Sequence, residues 1–239
     1  MLEADPVSGA DDTGKRASAS NLALRIVSAI VLAPLALLAA YLGGWPFALF
    51  WGAAAIAVLW EWTKLVAGPG WIVAGIGYAG VMLTAPMVLR ADAEFGFLAM
   101  LLLFAIVWTT DILGYFAGRA IGGPKLWRAI SPKKTWSGAV CGTLGAMIVA
   151  VVVASFFGAF NRAAIAMIAL LLSVVAQLGD LLESWVKRKF GAKDASQLIP
   201  GHGGVMDRLD GFWAAALTGC LIGLARGGFD GAARGLLIW

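Results

Sequence analysis

The chain has 239 residues, 61% of them hydrophobic and only 13% charged, with a mean hydropathy of +0.86. Soluble domains carry roughly a quarter charged residues, so this composition excludes a water-soluble globule and makes a bilayer the natural solvent. The formal net charge of +4 is small, and its gathering into two polar segments says more than its size.

In chain order, residues 1–20 mix Glu3, Asp5, Asp11, Asp12, Lys15 and Arg16 with small residues and read as a disordered cytoplasmic tail. The apolar stretch from Leu22 to Leu42 outruns the about 7–15 residues of a signal-peptide core and is read as a retained first span. Further stretches near the roughly 20 residues needed to cross as helix fall at 46–67, 71–90, 95–118, 137–157, 163–183 and 205–226. Gly43-Gly44, Gly68-Pro69-Gly70 and Gly158 break them. The expected architecture is an all-α polytopic membrane bundle of about seven transmembrane helices, within a range of about six to nine. It forms one domain over 21–239, with the chemistry-bearing motifs in 105–226. Trp45, Trp60, Trp62, Trp71, Trp136 and Trp185 fall near span ends, where indole favours the headgroup layer.

With an odd number of crossings and the Lys15/Arg16/Arg25 end inside, segments 119–136 and 184–204 emerge on the cytoplasmic side. The first carries Arg119, Lys125, Arg128, Lys133 and Lys134 without an acid, and the second opens its basic run at Lys187, Arg188 and Lys189. The opposite connections offer Arg90, balanced by Asp92 and Glu94, and Arg162. That asymmetry obeys the positive-inside rule, and the expected location is the inner, cytoplasmic membrane with the site facing the cytoplasm.

Glu61, Asp111, Asp180 and Glu183 lie within or at the ends of apolar spans. An ionised group at mid-bilayer costs about 2.5–3.5 kcal/mol on insertion scales, so such acids face protein, a wet cavity or a cation. Glu61, beside Trp60, Trp62 and Lys64, is expected to snorkel to the interface and pair with a nearby cation. Gln177, Asp180 and Glu183 share one helix face at i, i+3 spacing, and Asp207 and Asp210 repeat that spacing at the start of the last span. Asp180, Asp207 and Asp210 could converge on a cation if their helices are neighbours, and such hard oxygen donors suit magnesium. His202 alone cannot build a zinc site, and Cys141 and Cys220 read as small packing residues.

Residues 184–210 join a basic run, a Pro-Gly-His-Gly-Gly turn and an acidic pair opening a helix. Glycines 201, 203 and 204 allow backbone shapes closed to other residues, and successive amides there can form an anion nest. Lys187, Arg188, Lys193 and Arg208 can neutralise phosphate, with Asp207 and Asp210 holding a bridging metal.

This stretch resembles the signature of the phosphatidate cytidylyltransferase (CDP-diacylglycerol synthase) family. The pattern runs Ser-x-apolar-Lys-Arg, four residues, Lys-Asp-x-small, two residues, apolar-Pro-x-His-Gly-Gly-apolar-x-Asp-Arg-apolar-Asp, and Ser184 to Asp210 satisfies every specified position. Upstream, Asp111, Tyr115-Phe116-x-Gly118-Arg119 and Ser131-Pro132-Lys133-Lys134-Thr135 are similar too. Gly114 stands where the family commonly has Ala, and Ser137 where an acidic or amide residue often precedes Gly138. The motif resemblance covers roughly the C-terminal half to two-thirds of the chain.

The resemblance implies a membrane nucleotidyltransferase that makes CDP-diacylglycerol and pyrophosphate from CTP and phosphatidate, with no nucleic-acid partner. It implies a magnesium site, with room for a second cation, at Asp180, Asp207 and Asp210. Phosphate contacts are implied for Lys133, Lys134, Lys187, Arg188, Lys193 and Arg208. Asp180, Asp207, Lys193 and His202 are carried over as catalytic, and Ser184, Asp194, Gly203 and Gly204 as substrate-binding. His202 is read as a hydrogen-bond donor rather than an obligatory base, its ordinary pKa near 6.5 allowing either. Family members can be homodimeric, and nothing in these residues decides that. The rival readings are a secondary transporter, for which buried acids and broken helices are ordinary features, and a CTP-dependent polyprenol kinase.

Overall fold

The computed structural model describes residue 28 and residues 30–158, 160–199 and 203–239. The expected N-terminal tail therefore lies outside the described residues, as do Pro200, Gly201 and His202. The described part of the first span is α1 (Ile30–Leu42). It is followed by α2 (Gly44–Leu65), α3 (Pro69–Ala91), α4 (Gly96–Ile121), β1 (Lys125–Trp127), β2 (Ser131–Thr135), α5 (Trp136–Ser155) and α6 (Arg162–Lys189). The chain closes with α7 (Met206–Leu209), α8 (Phe212–Gly227) and α9 (Ala232–Leu237).

Each expected span meets a helix among the described residues. Among the described residues, α2 to α6 are long and apolar enough to cross a membrane, while α1 and α8 are shorter apolar helices. This is the all-α membrane bundle expected, with two local differences. The basic run 187–189 is not loop: it forms the last turn of α6, where cations meet the negative end of the helix dipole. The last expected span is divided, because α7 ends at Leu209 and α8 begins at Phe212.

α4 is the central rod, packing on α3, α5, α6, α8 and α9. Its contact with α5 is built from small residues: a Cβ on Gly138 would lie 2.4 Å from Gly114 O, and one on Gly142 2.5 Å from Thr110 O. Small residues at i, i+4 let helix backbones touch in lipid, where packing must replace the hydrophobic drive of water. Aromatic rings fill the wider centre: Trp51 of α2 stacks on Phe212 of α8 at 4.9 Å, and Phe212 on Phe104 of α4 at 5.4 Å. Val140, Leu144, Ile148 and Val152 form an exposed stripe along α5, which suits lipid. Trp45, Trp60, Trp136 and Trp185 are exposed as interfacial tryptophans should be, but Trp62 is buried, stacks on Tyr78 and donates to Trp71 O at 2.7 Å.

Between α4 and α5 the polar segment forms an antiparallel hairpin, with Lys125 opposite Thr135 and Trp127 opposite Ser131. Thr135 starts α5 by accepting from Gly138 N at 3.2 Å. Ser137 donates to Gly122 O, joining the two feet of the hairpin. The hairpin and the turn at Gly203 stand at the same end of the bundle, since Lys134 of β2 reaches α6.

Candidate active site

α6 has 28 residues, which is about 42 Å of helix, whereas the hydrocarbon core is about 30 Å thick. Its final turns therefore reach the headgroup layer, and they carry Asp180, Glu183, Ser184, Lys187 and Arg188. Glycine sets how closely α8 approaches them. A Cβ on Gly179 would lie 2.9 Å from Asp210 O, and one on Gly211 2.9 Å from Ala176 O. Asp180 and Asp210 thus flank one helix crossing and sense each other's charge.

The first cluster forms around Asp180. Lys134 pairs with Asp180 Oδ2, and Ser184 Oγ donates to Asp180 Oδ1 at 3.3 Å. Asp111 of α4 is within electrostatic reach of Asp180, Lys134 and Arg208. Asp210 lies in the turn outside the spanning helices, and its carboxyl is raised well above its ordinary range by burial, then by the charges of Asp180, Glu183 and Asp111.

The second cluster is buried and centres on Lys187. Its Nζ donates to Glu183 Oε1 at 3.0 Å and to Asp207 Oδ1 at 2.6 Å. Tyr78 of α3 donates to Glu183 Oε2 at 3.3 Å. Asp207 Oδ2 accepts from Ala195 N at 2.9 Å and Gly204 N at 2.8 Å. One turn of sequence thus supplies an acid, Asp207, to an internal lattice rather than to the Asp180 cluster.

Two expectations change here. The Gly204 amide, read as part of an anion nest, donates to Asp207, so an internal carboxylate takes the place expected for phosphate. Gly203 does hold a left-handed backbone, with φ of +86°. Glu61 does not snorkel: it is fully buried and accepts from Ser196 Oγ at 2.6 Å, Val205 N at 2.8 Å and Met206 N at 2.7 Å. The reason is that Lys64, one turn on, is exposed while Ser196 brings a hydroxyl and Val205 and Met206 bring amides to Glu61.

Lys133, Lys193, Asp194 and Arg208 are exposed, and among the described residues their side chains make no hydrogen bond or ion pair. Arg188 donates to Ala192 O at 3.0 Å. His202 lies outside the described residues. Sequence reading passed over a buried polar set below Asp180: Ser173 Oγ contacts Thr110 Oγ1 at 2.7 Å and Thr143 Oγ1 at 3.0 Å, and Gln177 Nε2 donates to Thr143 Oγ1 at 2.9 Å. The signal available was the recurrence of hydroxyl and amide residues along apolar helices, which in lipid find partners across helices.

Among the described residues no three His, Cys, Asp or Glu side chains stand close enough together to hold a metal ion. Magnesium needs fewer, since it binds through one or two carboxylates plus substrate phosphates and keeps several waters. Asp180 and Asp210 supply hard oxygen donors of that kind, with both Asp180 oxygens engaged in this structure by Lys134 and Ser184. Both Asp207 oxygens are likewise engaged, by Lys187 and two amides.

Fold and site together define an integral membrane protein whose charged centre sits at one end of an apolar bundle. The sequence model of the cytidylyltransferase family matches residues 69–223. A protein named phosphatidate cytidylyltransferase from Brucella abortus biovar 1 (strain 9-941) is 42% identical over 253 residues, covering 85% of this chain and 94% of the relative. Proteins of the same name from Rickettsia bellii (strain RML369-C) and Rickettsia felis are 38% and 36% identical, covering 84% and 80% of this chain and 90% and 87% of those relatives. The chain belongs to the cytidylyltransferase family. Similarity extends beyond the motif-bearing half to most of the chain.

Proposed function

We propose that this membrane enzyme is a phosphatidate cytidylyltransferase, transferring CMP from CTP to phosphatidate at the cytoplasmic face of the inner membrane. The observation that carries the site assignment is the pairing of Lys134 with Asp180 within electrostatic reach of Asp210 and Asp111, Asp111 in turn sensing Arg208. An oxygen of the phosphatidate phosphate attacks the α-phosphorus of CTP. The new P–O bond forms as the bond from the α-phosphorus to the bridging oxygen breaks, and the electron pair leaves with pyrophosphate. The nucleophile is already an anion, so no strong base is needed. The difficulty is bringing two polyanions together, which cationic side chains at fixed positions relieve.

In this scheme Lys133, Lys193 and Arg208 bind the triphosphate from the aqueous side, and Lys134 holds Asp180 oriented. The acyl chains stay in lipid while the headgroup meets the nucleotide at the end of α6. Asp180 and Asp210 would hold magnesium, which when bound supplies charge neutralisation on phosphate oxygens. The cation excess at the site end supports a cytoplasmic orientation.

The test is a detergent-micelle assay with labelled CTP, phosphatidate and magnesium. Pyrophosphate and a cytidine-bearing lipid are the expected products. Release of CDP with a phosphorylated alcohol would instead mark a kinase, and transport without CTP consumption would mark a carrier.

A further inference from the structure

Residue 61 precedes the family-matched region, which starts at residue 69. It is an acid in the middle of apolar sequence, and it is 0% exposed. A buried carboxylate is tolerated only where donors replace its lost water. Among the described residues no Lys or Arg forms an ion pair with Glu61. Its three partners are Ser196 Oγ, Val205 N and Met206 N. In sequence, Ser196 lies before residues 200–202, and Val205 and Met206 lie after them.

Asp207 likewise joins the chain before and after these residues, through Ala195 N and Gly204 N. Two carboxylates therefore close the base of this loop. Asp207 is neutralised by Lys187, and Glu61 is satisfied by hydrogen bonds alone. Gly204 supplies an independent sign of how tightly Glu61 is seated. A Cβ there would lie 2.7 Å from both carboxylate oxygens of Glu61, although the Gly204 backbone is not left-handed. Glycine at 204 is thus explained by the approach of Glu61.

We infer that Glu61 is a positioning residue for catalysis: from α2 it fixes the base of the 195–206 loop, and through it the alignment of Asp207 and Lys187 and of the cations Lys193 and Arg208. The inference rests on the proposed cytidylyl transfer. Glutamine is the informative replacement, because it keeps the shape but turns an NH2 group toward one of the three donors.

The experiment compares wild type with Glu61→Gln in detergent micelles, using CTP and phosphatidate as probes and scoring only monodisperse protein. Losing a hydrogen bond to a charged group predicts a fall in kcat/KM for CTP of about 10- to 100-fold. KM for CTP should rise while KM for phosphatidate stays within about twofold, because the loop stands on the aqueous side. Hydrogen exchange at Val205 and Met206 should quicken about 10-fold, a readout independent of turnover. Ser196→Ala, which removes one of the three bonds, serves if Glu61→Gln does not fold and should show the same pattern more weakly. Unchanged kcat and KM per folded molecule, or unchanged exchange, would overturn the inference. A wild-type enzyme that forms no cytidine-bearing lipid would instead overturn the reaction, while the exchange result would still judge the role of Glu61 in the loop.

Discussion

At the end of the bundle away from the site, Arg90 donates from Nε to Ala40 O at 2.6 Å and Arg226 caps Gly235 O. Asp92 accepts from Glu94 N and Phe95 N at 3.0 and 2.9 Å and from Arg234 N at 3.1 Å. Charge there ties helix ends and the C-terminal α9 mostly to backbone, the exposed Arg234–Glu94 pair apart. At the other end acids meet cations side chain to side chain, as in Lys134–Asp180 and Lys187 between Glu183 and Asp207, and several cations have no ion-pair partner at all. The contrast teaches which charges hold the fold and which are available to a ligand. Backbone-bound charges are satisfied and static, whereas unpaired cations beside crowded acids can take up a polyanion.

Five substitutions break or sharpen that contrast. Lys187→Met should be the most damaging, since it leaves Glu183 and Asp207 buried without their shared cation. Removing one partner of such a set costs about 3–5 kcal/mol, which a melting curve in detergent would report as a large drop in Tm. If Tm holds, the buried triad is not what fixes α6 to the loop. Next, Asp180→Asn should keep the fold but lower kcat by about 10²–10³-fold, the loss typical of one aligned electrostatic group. Turnover equal to wild type would remove Asp180 from the chemistry.

Gly138→Ala should cost about 1–3 kcal/mol, as its Cβ would meet Gly114 O at 2.4 Å. Gly114→Ala is the control: its Cβ would stand 3.4 Å from Gly138 O, an ordinary contact, and the change should stay within about 0.5 kcal/mol. Thermal melts of the pair test whether the α4–α5 contact is as directional as the geometry requires. Smallest of all, Glu94→Gln removes an Arg234 partner at 2.6 Å whose side chains are 60% and 64% exposed. Exposed pairs contribute at most about 1 kcal/mol, so Tm should barely move and turnover not at all. A loss of activity there would join the two ends and undo the comparison.

Much of the architecture was legible before any coordinates. Apolar runs of spanning length are local features, so all the expected spans coincide with helices even where their limits shift by several residues. Ser184 to Asp210 was legible as one motif because its basic and acidic residues are contiguous. The division of that motif was not. Asp180 and Asp207 looked equivalent as ligands, yet one sits with Lys134 and the other with Lys187, two turns further along α6. Glu61 was misread for the same reason: its only visible neighbour in sequence was Lys64.

From its residues alone, this chain fixed its solvent, its helices and its chemical class, since each depends on composition, local length or contiguous spacing. Tertiary structure alone decided the pairings, because partners 46, 20 and 145 residues apart meet only once particular helices are neighbours. In a low-dielectric interior, which charge stands beside which determines whether an acid supports the fold or remains open to a substrate.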